Sequence, residues 1–307
     1  MIRAVLYNNT GGPEQLYVAE IPSDDPGQGE VAVTVKAAGL NPYDAKARAG
    51  IAPVADVAFP RGVGSDFAGI VSALGPGVSY ADGTPVTLGD EVLGWGPGTL
   101  RERLIVPAVQ LARKPAALSW TVAGSLSTPG QTAMACLNVL PVGRGDTVLV
   151  SAAAGAVGFI IGQLAVRAGA RVIGTASDVN HERLSSVGVE PIEYGPGLEE
   201  RVRAIAPDGI TAVFENHGRE AVDAALALGV PPSQVCAIVD HALTAELGLV
   251  TPGRYERRAD VLQDLADRAA VGALMLPVQQ EFPLDAVQDA FRLLEGRHLT
   301  GKVVITP

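Results

Sequence analysis

Val148–Ser177 reads VLVSAAAGAVGFIIGQLAVRAGARVIGTAS, and the fold turns on how this stretch is read. An apolar run predicts a strand over Thr147–Val150. Ala152, Gly155 and Gly158 follow at three-residue spacing, then a helical stretch, then a second apolar run ending near Ser177. Strand, turn, helix and strand at this distance make a βαβ unit with parallel strands. Small residues in its first turn permit a tight bend, close approach of backbone to a pyrophosphate, and close packing of helix on strand, with the helix N-terminus facing the phosphates. The same residues could serve a plain hydrophobic crossover. An S-adenosylmethionine methyltransferase also carries a glycine turn here, but it commonly has an acid at the end of the second strand, where this chain has Ala176 or Ser177.

That strand end also bears on cofactor choice. A carboxylate there binds the ribose hydroxyls of NAD and repels a 2′-phosphate, whereas a small hydroxyl with a nearby cation accommodates one. Ser177, with Arg183 six residues on, suits NADP(H). Asp178 keeps NAD open, because a slip of one residue would put a carboxylate in the place of Ser177, and Arg183 reads equally as a solvated helix charge.

Working outward, residues 1 to about 118 read as short strands ("RAVLY", "EVAVTVKAAGL", "FAGIVSALG", "DEVLGWG", "RERLIVPA") separated by the turn chemistry of "GGPE", "SDDPGQGE" and "ADGTP". From "LSWTVAGSLSTPGQTAMACLNVL" onward, Ala-rich helical stretches alternate with apolar strands: "DTVLVSA", "ARVIGTAS", "EPIEYG", "ITAVFENHG" and "QVCAIVD". The tail ends in an amphipathic helix with Leu284, Val287, Phe291 and Leu294 on one stripe, and then in a strand, "KVVIT".

The 307 residues suffice for two domains, each with its own core. Hydrophobic residues at 48%, charged ones at 18%, 36 Gly and 22 Pro describe a globular chain with many turns. A net charge of −10 without a basic run argues against nucleic acid as a partner, while backbone amides can still hold an anionic cofactor. Cys136 and Cys236 are far apart in the sequence, with no partner Cys or His beside either, so neither a disulfide framework nor a thiolate zinc site is expected. Neither a signal peptide nor a membrane span is read, and the expected location is the cytoplasm.

The ordered motifs "GGPEQL", "AAGLNPYDAKARAG", "GSDFAGIVSALGPGV", "GDEVLGW", "STPGQTA", "AAAGAVG", "VIGTAS" and "TGKVVI" together resemble the medium-chain dehydrogenase/reductase superfamily, and within it the zinc-independent quinone oxidoreductase and enoyl reductase group. The resemblance implies an α/β protein: a GroES-like β catalytic domain over 1–118, a Rossmann NADP-binding domain with a doubly wound parallel sheet over 119–272, and a C-terminal segment, 273–307, returning to the catalytic domain. Zinc-dependent relatives need a Cys where this chain has Asn41, and a His near "GSDFAG", where it has none; the four-Cys lobe is also missing. No metal is therefore expected.

Without a Lewis acid, the implied chemistry is hydride delivery to a quinone or an electron-poor C=C in an apolar, carbonyl-conjugated small molecule, whose developing oxyanion needs hydrogen bonds and a proton. By resemblance Asn41 would sit by the nicotinamide, with Asp44 and Arg48 supporting its loop; an ordinary surface ion pair is the alternative for those two. Some relatives place a proton-donating Tyr two residues after the Asp, where this chain has Lys46; Lys46 and Tyr43 are the candidate acids. Thr132 matches a threonine beside the cofactor, Ala154, Gly155, Ala156 and Val157 form the phosphate turn, and Tyr194 matches a tyrosine near the adenosine phosphate. Asn216, His217 and Gly218 after the fourth strand, and Asp240 and His241 after the fifth, fall at the carboxyl edge where ligands bind. Either His could instead be a capping or surface residue, and Lys302 is a pocket candidate or a solvated strand residue.

Two other readings keep this fold: a cofactor-binding protein without turnover, and a natural-product reductase or cyclisation catalyst with a wide apolar cleft around Ala52, Val54 and Trp95. A homodimer through the sheet edge, using "QVCAIVD" and "LMLPV", is a further implication of the resemblance.

Overall fold

The computed structural model describes residues 1–52, 58–253, 255–296 and 299–307. The chain forms two compact units, Met1–Thr128 with Arg257–Pro307, and Pro129–Glu256.

The first unit begins with β1 (Ile2–Tyr7), β2 (Leu16–Ile21), β3 (Glu30–Gly39), α1 (Pro42–Arg48), β4 (Arg61–Gly62), β5 (Asp66–Leu74), β6 (Glu91–Trp95), β7 (Arg103–Pro107), β8 (Leu111–Arg113) and α2 (Trp120–Ala123). α3 (Ser127–Val139) leads into the second unit, which holds β9 (Thr147–Val150), α4 (Ala156–Arg167), β10 (Arg171–Thr175), α5 (His181–Ser186), β11 (Val189–Ile192), α6 (Leu198–Ile205), β12 (Ala212–Glu215), α7 (Arg219–Ala227), β13 (Val235–Ala237) and α8 (His241–Leu247). The chain then adds α9 (Ala259–Ala270), β14 (Val278–Pro283), α10 (Val287–Glu295) and β15 (Lys302–Thr306) to the first unit.

In the first unit one sheet runs β14-β15-β3-β5-β6-β8, with β7 also paired to β3, and a smaller sheet runs β2-β1-β4. β3 is the long central strand: Val31, Val33, Val35 and Ala38 point into one core with Phe67 and Val71 of β5. The tail joins that core through β15, antiparallel to β3 with Val304 opposite Gly39, and through α10, which buries Val287, Phe291 and Leu294. Leu284 is buried with them from the turn before the helix. The expected boundaries at 118/119 and 272/273 move to 128/129 and 256/257. α2 lies on β3 and β5, and α9 packs on β8, where Gln263 accepts from the Arg113 N–H at 2.8 Å and donates to its carbonyl at 3.1 Å.

The second unit is a parallel sheet in the order β11-β10-β9-β12-β13. β9, β10 and β12 are buried almost throughout, as strands covered by helices on both faces must be. The order turns back at β9, so β10 and β12 flank it and the carboxyl ends there form the switch point at which such sheets bind ligands. Cys136 and Cys236, distant in sequence, meet in this unit as buried free thiols, and the hydrogen bond with Cys236, together with burial, pushes the Cys136 thiol up. The outer edge of β13, the strand expected at a dimer interface, is engaged by the chain itself: Ala237 donates to the Val250 carbonyl and Val250 N–H donates to Val235, each at 2.9 Å. Leu274 and Leu276 of "LMLPV" are buried in the first unit. Among the described residues no helix is long and apolar enough to cross a membrane.

Candidate active site

In the second unit the turn after β9 has the tightness its small residues anticipate. Ala152 adopts a left-handed φ of 47°, a conformation that glycine would accept without strain. Its N–H donates to Thr175 Oγ1 at 3.1 Å and that of Ala153 to the Thr175 carbonyl at 2.9 Å, so β10 holds the turn. Gly158 is demanded by packing: a Cβ there would lie 2.5 Å from the Ala152 carbonyl oxygen and 3.0 Å from Ala153 Cα. Gly155 caps α4 without a side-chain hydrogen bond. The first-turn N–H groups of Ala156 and Val157 thus have no capping side chain among the described residues, which suits an anion, and Ala154 stands just before the cap.

At the end of β10, Asn180 Nδ2 donates to Ser177 Oγ at 3.0 Å, and its Oδ1 accepts from Arg183, joining the two residues read as phosphate contacts. Arg183 also stacks on Phe159, 5.7 Å from the ring centre, and burial lowers its pKa. Asp178 is exposed and accepts from the Val179 N–H at 2.8 Å. Tyr194 is exposed after β11. At the end of β12, Asn216 N–H donates to Ser151 Oγ at 2.8 Å and Nδ2 to the Ser151 carbonyl at 3.0 Å, which binds it to the end of β9. Its Oδ1 is buried with no hydrogen-bond partner among the described residues, as is Oε2 of the neighbouring buried Glu215. Glu215 Oε1 accepts from the N–H groups of His217 and Gly218, and burial raises its pKa. His217 and His241 are exposed, and Asp240 is the N-cap of α8, accepting from Leu243 N–H at 2.9 Å. Thr132 Oγ1 lies 2.7 Å from the Tyr255 hydroxyl.

The first unit gathers a buried polar cluster where the end of β3 and the starts of β5 and β15 converge. Lys302 Nζ donates to the Leu40 carbonyl and to Asn41 Oδ1, both at 2.6 Å, and stands 4.0 Å from Asp66 Oδ2. Asn41 Nδ2 donates to Asp66 Oδ2 at 3.0 Å, and its backbone N–H to Asp44 Oδ2 at 2.8 Å in a capping box that starts α1. Asp66 Oδ1 accepts from Thr128 N–H at 3.0 Å and Oγ1 at 2.5 Å, with Arg257 Nη1 at 3.9 Å. Ser65 Oγ donates to Asp44 Oδ1 at 2.5 Å. Burial drives the Asp44 pKa up to about 6, with Asp66 adding to the rise and the bonds from Ser65 and Asn41 opposing it. Burial also lowers the Lys302 pKa against the pull of Asp66 and Asp44.

Lys302 is therefore not a solvated strand residue. Asp44 and Arg48 do not form a surface pair: both are buried, and Arg48 Nη2 instead meets Glu295 at 2.9 Å. The two candidate acids separate. Tyr43 is half-exposed on the wall of a cavity of about 530 Å3 that Asp44 and Ser65 also line, whereas Lys46 is exposed and does not line it. Ala52 and Trp95 do not line this cavity, and Val54 lies outside the described residues. The sequence patterns do not single out Asp66, Ser65 or Glu215. Ser65 and Asp66 sit inside the quoted "GSDFAG", and a carboxylate opening an apolar strand was the available signal. Among the described residues no group of three or more His, Cys, Asp or Glu side chains could hold a metal ion.

Residues 27–116 match the family described as Alcohol dehydrogenase GroES-like domain, and residues 190–305 the family described as Zinc-binding dehydrogenase. Over its whole length the chain is 31% identical to the chloroplastic NADPH-dependent alkenal/one oxidoreductase of Arabidopsis thaliana, covering 80% of it. It is 30% identical to a 2-haloacrylate reductase of Burkholderia sp, covering 100% of this chain and 99% of that one. The solved quinone oxidoreductase from Coxiella burnetii matches with a TM-score of 0.88 and 28% identity, over 100% of this chain and 99% of that one.

Proposed function

The chain belongs to the medium-chain dehydrogenase/reductase superfamily, and within it we propose that it is an NADPH-dependent, zinc-independent reductase of quinones or activated C=C bonds. The cofactor, when bound, supplies the hydride. The start of α4 would hold the pyrophosphate, and Ser177 and Arg183 would hold the 2′-phosphate. As hydride reaches the acceptor, its conjugated oxygen gains negative charge and needs a hydrogen-bond donor and then a proton. Tyr43 offers a hydroxyl at the cavity wall, and Ser65 a second whose proton is held by Asp44 Oδ1. Behind Ser65, Asp44 with its pKa near 6 exchanges a proton close to neutral pH. Lys46 reaches the substrate only if its long side chain turns toward the cavity.

The observation that carries the zinc-free reading is the donor set at Asn41. Its amide is committed on both sides, Oδ1 to Lys302 and Nδ2 to Asp66, and a fixed ammonium stands among the carboxylates that would attract a metal. The test is a spectrophotometric panel following NADPH and NADH oxidation with quinones, cyclic enones and enoyl thioesters, before and after chelation. NADPH-linked reduction that survives chelation is expected. Activity requiring one tightly held zinc per chain, or tight cofactor binding with no acceptor reduced, would overturn the proposal.

A further inference from the structure

The cavity of the first unit is lined by Arg61, Arg101 and Arg103, in a chain whose net charge is −10. Arg101 is the informative one. Its Nε donates to the Gly98 carbonyl at 2.5 Å, burial lowers its pKa, and no carboxylate among the described residues offsets that effect. The guanidinium occupies a seat kept open by glycine: a Cβ on Gly62 would stand 2.8 Å from Nη2, and one on Gly98 2.5 Å. Arg103 is held in the same manner by neutral oxygens, Ser23 Oγ at 2.7 Å and the Asp24 carbonyl at 2.5 Å. Among the described residues, the acids lining the cavity do not neutralise this pair. Asp44 is taken up by Asn41 and Ser65, and Asp24 is exposed and reaches Arg103 only through its carbonyl. Arg61 faces a ring instead, its guanidinium carbon 4.5 Å from the centre of Phe59.

A guanidinium drawn out of water without a counter-ion is costly, and a ligand that brings an anion removes that cost. Arg is also the side chain whose planar fork best fits a carboxylate or phosphate. Tyr43 and Ser65 line the same cavity, so an acceptor anchored on the arginines would lie against hydroxyls able to serve its reacting end. We propose that Arg101 and Arg103 form an oxyanion-binding subsite, and that the hydride acceptor is an α,β-unsaturated compound carrying a carboxylate or phosphate group rather than a neutral quinone. This rests on the reductase reading above.

The two sources of the anion are separated by steady-state kinetics with NADPH on 2-chloroacrylate, whose carboxylate is beside the alkene, and on crotonyl-CoA, whose phosphates are on a long tail, against neutral 2-cyclohexenone. The wild type should prefer one of the two anionic acceptors. In Arg101→Gln, and in Gly62→Ala, which keeps every charge but fills the guanidinium seat, the KM for that acceptor relative to the KM for cyclohexenone should rise about tenfold or more, with a smaller change in kcat. Equal loss on charged and neutral acceptors, or no loss on either, would overturn the subsite. Should Arg101→Gln lose cooperative thermal unfolding, Gly62→Ala and Arg103→Gln carry the test. Calorimetric titration of 2-chloropropionate and of free CoA into the protein reads the subsite without turnover. A protein that oxidises no NADPH yet binds one of these anions through Arg101 sinks the reductase reading and keeps the subsite; one that reduces neutral acceptors and binds neither anion does the reverse.

Discussion

Replacing Asp44 by Asn should remove a pH dependence of stability that the buried cluster builds in. The Asp44 carboxyl rises from 3.8 to about 6 on folding, chiefly through burial. The folded protein therefore retains a proton that the unfolded chain releases, and between these two values stability falls as pH rises. At 1.36 kcal/mol per pKa unit the full cost above pH 6 is about 3 kcal/mol, of which about 1 kcal/mol is already present at pH 4.5. Asparagine can keep the local bonds, its carbonyl facing the Asn41 N–H and its amide donating to Ser65 Oγ, which then turns its own proton elsewhere. Urea unfolding of both proteins at intervals from pH 4.5 to 8, followed by Trp fluorescence, gives their stability difference at each pH. Other titrating groups cancel in that difference, and the wild type should lose about 2 kcal/mol relative to Asp44→Asn over the range. A difference flat to within about 0.5 kcal/mol would refute burial as the dominant influence. A wild type that gains relative stability with rising pH would show that Lys302 and the bonds from Ser65 and Asn41 prevail instead.

Gly158→Ala places a methyl against the Ala152 carbonyl and should push α4 off its turn, costing about 1–3 kcal/mol of stability; fluorescence titration should show NADPH affinity falling with it. Arg183→Ala should weaken NADPH about tenfold and NADH little, and equal effects on the two cofactors would mean that the 2′-phosphate is read elsewhere. On a confirmed acceptor, Tyr43→Phe should lower turnover about a hundredfold if Tyr43 is the donor, with Lys46→Ala much milder; wild-type turnover in both leaves Ser65 or solvent as the donor. Light scattering tests the homodimer: twice 31.5 kDa supports it, and 31.5 kDa at micromolar concentration refutes it.

What depends on local pattern was legible in the order of residues. Apolar runs such as Val148–Val150 and Val172–Thr175, separated by a helix of suitable length, can only bury themselves as parallel strands, and all five strand segments read from the second half take their places in one parallel sheet. The tight turn at Ala152 and the close packing at Gly158 were legible for the same reason, because the segment that needs them is only a few residues long. Side-chain roles set by distant partners were decided by the tertiary structure alone. Lys302 is a buried ammonium because β15 pairs with β3 and delivers it to Asn41, and Asp66 is buried because Thr128, Asn41 and Lys302 from three other segments satisfy it. Asp240, read as a ligand-edge residue, spends its carboxylate on the N-cap of α8, and Cys136 meets Cys236 only because α3 and β13 belong to one unit. A burial penalty and the partners that offset it are properties of a three-dimensional neighbourhood, and that neighbourhood exists only once strands far apart in the chain have been set in register.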